Sequence, residues 1–183
     1  LTLTLTLTLT LTLTLTLTST LYLPIFLEAT LLRDDWALPV AVGGGGLIAG
    51  IGAHLKSLSE ATEVVGCCPE LSDVMARSVP KGRIVDMPFV PTLSDGTAGS
   101  LEEDCVTLPL CARYVDRFER VSEEEIADSV RWTLKDHRML IEGAAGVAVA
   151  VARRELEQNG SSRIAVVLCG SNISADKLRT ILG

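Results

Sequence analysis

At 183 residues and 19.5 kDa, the chain is long enough for one domain with a sizeable core and too short for two ordinary ones. Hydrophobic residues at 48% against 21% charged give the balance of a soluble globular protein and no ground for disorder. Sixteen basic residues face 23 acidic ones, a net charge of −7, and no basic cluster is longer than Arg153-Arg154, which excludes nucleic acid as a partner.

Residues 1–18 are nine perfect Leu-Thr repeats, and the uncharged, largely apolar stretch runs on to Leu27 before Glu28. As a strand these 18 residues would extend roughly 60 Å, far beyond ordinary strands. As a helix they would span about 27 Å, near the thickness of a bilayer. A secretory signal needs a basic start and a small-residue cleavage site, and neither is present. The expectation is a low-complexity leader, residues 1–35, outside the fold and with no membrane role. It reads as a translated tandem repeat or the result of a missing upstream exon. Its charge-free Leu/Thr composition makes it an aggregation hazard.

From Trp36 onward, short apolar runs alternate with longer amphipathic ones, which predicts a single α/β domain over 36–183 with an open, mostly parallel sheet and flanking helices. Strands are predicted at 37–42, 63–68, 117–121 and 163–168. Helices are predicted at 47–58, 71–79, 104–115, 122–138, 143–158 and 175–181. Ser122 followed by Glu125 predicts a capping box, so the acidic run at 123–125 is structural. Residues 82–100, with Pro88, Pro91 and Asp95-Gly96, read as a long loop near the strand ends, where ligands bind in open sheets.

The main functional clue is the run Gly43, Gly44, Gly45, Gly46 between the apolar segment Trp36-Ala-Leu-Pro-Val-Ala-Val42 and the helix-like segment starting at Leu47. Each glycine costs backbone entropy of about 0.5–1 kcal/mol relative to alanine. The return is a set of bare amides at a helix start that can converge on a phosphate. Lys56, more than a turn further on, is expected to be solvated. Gly44-x-Gly46-x-x-Ala49 also fits the dinucleotide fingerprint, but Glu70, after Pro69, is a poor candidate for its acidic ribose ligand. The ATP-type P-loop is excluded because no Gly-Lys-Ser/Thr follows. Five scattered cysteines with no C-x-x-C pair, and two distant histidines (His54, His137), point to reduced thiols in a cytoplasmic setting and to no zinc site.

Four motifs occur in order: Gly43-Gly-Gly-Gly-Leu-Ile-Ala-Gly50, Thr92-Leu-Ser-Asp-Gly-Thr-Ala98, Ile141-Glu-Gly-Ala-Ala-Gly146 and Val167-Leu-Cys-Gly-Ser-Asn172. Together they resemble the fold-type II pyridoxal-phosphate enzymes (tryptophan synthase beta-like), specifically the threonine/serine dehydratase and serine racemase branch. Related sulfhydrylases usually break the glycine run with threonine. The resemblance implies that the backbone of Gly43, Gly44, Gly45 and Gly46, with the amide of Leu47, holds the phosphate of pyridoxal 5'-phosphate. It implies that Cys169, where the family usually has serine, faces the pyridine nitrogen, and that Glu142 borders the ring or its supporting loop. It brings Asp95-Gly96 into an active-site loop. The implied reaction is β-elimination of water from a 3-hydroxy amino acid, with release of ammonia, in a homodimer; the alternatives are a serine racemase, a dehydratase of another, bulkier 3-hydroxy amino acid, or a non-catalytic remnant that only binds the cofactor.

The chain departs from the pattern in three ways. Family members attach the cofactor through a Schiff-base lysine upstream of the glycine loop, whereas the lysines here are Lys56, Lys81, Lys135 and Lys177. The upstream loop for the substrate carboxylate is missing too, so the expectation is the carboxy-terminal part of such an enzyme, inactive alone. Where racemase relatives place metal-binding carboxylates, the chain has Cys68, Ser72 and Val74, so no catalytic metal is expected. Gly183 follows the fourth motif closely, so no regulatory domain is expected in this chain.

Overall fold

A computed structural model describes residues 6–8, 36–159 and 163–183. The strands are β1 (Thr6–Thr8), β2 (Trp36–Ala41), β3 (Glu63–Pro69), β4 (Arg117–Val121), β5 (Arg163–Ile164) and β6 (Val166–Leu168). The helices are α1 (Gly46–Leu58), α2 (Val74–Ser78), α3 (Thr107–Tyr114), α4 (Glu123–His137), α5 (Gly143–Asn159) and α6 (Ala175–Leu182), with single 3-10 turns at Val79–Lys81 and Asp95–Thr97. Four strands form a wholly parallel sheet in the order β4-β3-β2-β5, and β6 pairs in parallel with β1. Beyond β1, the reading of residues 1–35 as a leader lies outside the described residues.

The predicted strand at 163–168 is divided at Ala165, and Pro39 supplies the reason. Ala37 accepts a hydrogen bond from the Ala165 amide, so the polar groups of Ala37 face β5. In a strand every second residue faces the same neighbour, so the next donor on that side would belong to Pro39, which has no N–H. The β2 ladder with this strand accordingly stops at Ala37, while its ladder with β3 runs on to Ala41. The helix predicted at 71–79 is shorter as well. Ser72 closes a turn onto the Pro69 carbonyl, the helix starts only at Val74, and Pro80 tightens its end into a 3-10 turn. The helix predicted at 104–115 opens at Thr107, because the Cys105 amide closes a turn onto Glu102 first.

Helix α4 starts with the predicted capping box. The Glu125 amide donates to the Ser122 hydroxyl, and the Ser122 amide donates back to the Glu125 carboxylate at 2.9 Å.

Both sheet faces are covered, as both alternating sets of apolar residues require. Leu38, Val40, Val42, Val64 and Cys68 pack with Ile48 and Leu55 of α1, Met75 of α2 and Cys111 of α3. On the opposite face Val65, Cys67 and Val121 pack with Ile126 of α4 and Val147 and Val151 of α5. The adjacent Cys67 and Cys68 thus enter different layers, and burial pushes both thiols up, that of Cys68 to about 12. The outer strand β4 carries three charged side chains, Arg117, Glu119 and Arg120, beside Phe118 and Val121. Arg117 meets Glu63, Glu119 and Glu155, and Arg154 meets Glu119 and Glu125, which discourages further strand addition there. No helix among the described residues is long and apolar enough to cross a membrane.

Candidate functional site

Strands β2 and β6 end on the same edge of the fold, one leading into the glycine run and the other into Cys169. The four glycines are not equivalent. A Cβ on Gly43 would lie 2.9 Å from the Thr97 Cα, so this glycine admits the Asp95–Thr97 turn against the loop. Gly45 has φ +80, and a Cβ there would sit 2.8 Å from both the Cys111 Sγ and the Met75 Cε. Gly44 and Gly46 are exposed and have nothing within 4 Å of a Cβ.

The loop therefore has a packed back and an open front. Among the described residues no protein acceptor meets the amides of Gly44, Gly45, Gly46, Leu47 or Ile48, and the first turn of α1 contains no acid. Five free N–H groups at the positive end of a 13-residue helix can hold an anion through backbone alone. A Cβ at Gly44 or Gly46 would stand in open space on the exposed side of the loop.

The other motifs reach the same edge through neighbours. In the 92–98 loop, Glu123 accepts hydrogen bonds from the Thr92 hydroxyl at 2.5 Å and the Leu93 amide at 2.7 Å. Asp95 pairs with Lys177 of α6 at 2.7 Å, and Thr97 lies against Gly43. A Cβ on Gly96 would be 3.3 Å from the Glu142 Oε1. Glu142 in turn braces the fourth motif: its amide donates to the Gly170 carbonyl at 3.1 Å, and its carboxylate accepts from the Asn172 amide at 2.9 Å. Burial, and then the nearby Glu142 charge, push the Cys169 thiol up to about 11, so it stays protonated at neutral pH.

Lys56 differs from its sequence reading. Rather than being solvated, it is largely covered at the far end of α1, where its ammonium donates to the Thr62 carbonyl at 2.9 Å and pairs with Asp116 at 2.8 Å. It has no part in the glycine loop. Sequence reasoning also missed the layer behind the loop. The Thr107 hydroxyl donates to the Gly44 carbonyl at 2.5 Å, the Cys105 Sγ lies 3.0 Å from that hydroxyl, and the Cys111 Sγ is 3.7 Å from the Gly45 carbonyl. The only trace of this in the sequence is a threonine in the first turn of the helix predicted at 104–115.

Residues 19–170 match the family model for pyridoxal-phosphate dependent enzymes. The chain belongs to this family. Within it the similarities fall in the fold-type II branch of threonine dehydratases and serine racemases. It is 36% identical over 151 residues to the L-threonine ammonia-lyase of Thermotoga maritima, covering 82% of this chain and 37% of that protein. It is 32% identical over 148 residues to a phenylserine dehydratase of Ralstonia pickettii, covering 80% of this chain and 45% of that one. The processed form of threonine deaminase isoform 2 from Solanum lycopersicum superposes with a TM-score of 0.73 at 26% identity, covering 81% of this chain and 43% of the other. This pyridoxal-phosphate family chain thus spans less than half the length of these relatives.

Proposed function

We propose that the chain forms the phosphate and ring-nitrogen side of the cofactor site in a pyridoxal-phosphate dependent threonine/serine dehydratase. The observation that carries this reading is the open glycine cradle, in which two bare, exposed glycines front five backbone amides that have no protein acceptor. When bound there, pyridoxal phosphate supplies an electron sink for chemistry at the amino acid α-carbon.

In this reading the amides of Gly44, Gly45, Gly46 and Leu47 hold the phosphate oxygens, and Gly43 lets Thr97 wall the cradle. Cys169 presents an uncharged thiol to the ring nitrogen, and Glu142 keeps the Gly170–Asn172 turn in place. A thiol, unlike a carboxylate, does not hold that nitrogen protonated. The sink is therefore moderate, suited to removing the α-proton and expelling a β-hydroxyl as water, with ammonia and a 2-oxo acid as final products. The similarity to a phenylserine dehydratase supports a second reading, in which the 3-hydroxy amino acid is bulkier.

None of the four lysines suits covalent capture of the cofactor at this cradle. Lys56 is bound to Asp116 at the opposite end of α1, Lys177 is paired with Asp95, and Lys81 and Lys135 lie on the exposed outer surface. The chain by itself therefore binds the cofactor reversibly and does not turn over amino acids. With five unpaired cysteines, it belongs in a reducing compartment such as the cytoplasm.

The test is titration of the purified chain with pyridoxal phosphate, followed by borohydride, dialysis and ammonia assays on threonine, serine and phenylserine. Saturable binding that dialysis reverses, with no ammonia, is the expected result. No saturable binding overturns the cofactor reading. Ammonia release overturns the inactivity of the isolated chain, and its substrate order separates the two substrate readings.

A further inference from the structure

We infer that Thr107 is a positioning residue of the anion cradle, holding the glycine loop from behind so that its amides face forward. The inference rests on the proposed cofactor reading and extends it to a residue outside the four motifs.

In a planar trans peptide the C=O and the next N–H point in opposite directions. The described residues contain no cis bond, so whatever pulls the Gly44 carbonyl backward turns the Gly45 amide to the open side. Thr107 does this, its hydroxyl donating to the Gly44 oxygen at 2.5 Å. The next peptide is held in the same sense. The Gly45 carbonyl accepts from the Ala49 amide at 3.0 Å, with the Cys111 Sγ 3.7 Å away, and so the Gly46 amide also points out of the helix start.

Thr107 is free for this task because it does not cap its own helix. Residue 106, before α3, makes no side-chain cap bond, and the Thr107 hydroxyl turns to the neighbouring loop 63 positions earlier in the chain. Its surroundings leave it little alternative. The Cys105 Sγ is 3.0 Å from the hydroxyl, and a Cβ on Gly45 would be 3.2 Å away. Glycines have the least intrinsic preference for any one orientation, so a loop made of them needs an outside restraint to keep its donors aligned. A single hydroxyl provides that restraint without entering the cradle.

The experiment compares the full chain with Thr107→Val, which keeps the shape and removes the hydroxyl, and Thr107→Ser, which keeps the hydroxyl. Binding of pyridoxal 5'-phosphate and of pyridoxal is followed by absorbance, with inorganic phosphate as competitor, and circular dichroism verifies the fold. The expected result is roughly tenfold weaker binding of pyridoxal phosphate and of inorganic phosphate by T107V, unchanged binding of pyridoxal, and recovery in T107S. If T107V equals the unsubstituted chain in its preference for pyridoxal phosphate over pyridoxal, the positioning role is wrong while the cradle stands. Equal loss for both ligands, or loss of fold in T107V with no recovery in T107S, also overturns it, since the residue is then merely structural. If the unsubstituted chain shows no preference between the two ligands, the cofactor reading fails, and the inference with it.

Discussion

Gly44 and Gly45 are adjacent and chemically identical, yet alanine at each should produce opposite outcomes. At Gly45 the backbone has φ +80, and the new Cβ would sit 2.8 Å from the Cys111 Sγ and the Met75 Cε. The left-handed conformation costs about 1–2 kcal/mol for a residue with a Cβ, and overpacking adds roughly 1–3 kcal/mol. A loss near 3 kcal/mol corresponds to a fall in melting temperature of about 6–12 °C for a domain of this size. At Gly44 nothing lies within 4 Å, so Gly44→Ala should leave stability unchanged or raise it by up to about 1 kcal/mol through the unfolded chain. The same methyl group projects from an exposed residue whose neighbours offer their amides forward, and it should weaken pyridoxal phosphate binding by about tenfold or more. Thermal denaturation and ligand titration on both variants decide the matter. Undiminished binding by G44A would refute the cradle, and an unshifted melting temperature in G45A would refute the account of the packed back.

Three further outcomes are expected. Asp73 is wholly buried between Arg120 at 2.5 Å and Arg77 at 2.6 Å; burial raises its pKa, but the two guanidinium groups more than offset this and hold the carboxyl below its usual range. That contribution to stability is present above the ordinary carboxylate value near pH 4 and is lost as pH falls through the depressed folded value. Asp73→Asn should cost about 2–3 kcal/mol, the lower end for a broken buried pair because both arginines are half-exposed, and should flatten the acid limb in urea titrations below about pH 4. Alkylation of Cys169 by iodoacetamide, followed by peptide mass spectrometry, should be slow at neutral pH and accelerate about tenfold per pH unit until the thiol titrates at about 11. A rate that levels off near pH 8 contradicts the assignment. Ser122→Ala should lower stability by about 1 kcal/mol, read as a fall of about 2–4 °C in melting temperature.

The sequence made the layers legible because both sheet faces are buried, and periodicity reports burial. The capping box was equally plain, since Ser122 and Glu125 act within one turn. What stayed hidden depended on contacts between distant segments. The break at Ala165 follows from the missing amide of Pro39, which matters only once the strands are known to be neighbours. Lys56 looked solvated because Asp116, its partner, is 60 residues away. The front of the glycine loop was readable from composition. Its back, built by Thr107, Cys111 and Met75, carries no local pattern at all.

The first turn of α1, Gly46-Leu47-Ile48-Ala49, holds no ionisable side chain, and the groups it leaves without a protein partner are backbone amides. Of the thiols around it, Cys111 behind the loop and Cys169 at the neighbouring strand end are both pushed up to about 11, so neither changes charge across the physiological range. The loop's affinity for a phosphate monoester should therefore follow the guest's ionisation alone, climbing as the second phosphate proton leaves near pH 6 and remaining level above it. The backbone amides themselves carry no proton to lose, so the shape of that curve would come from the molecule they hold.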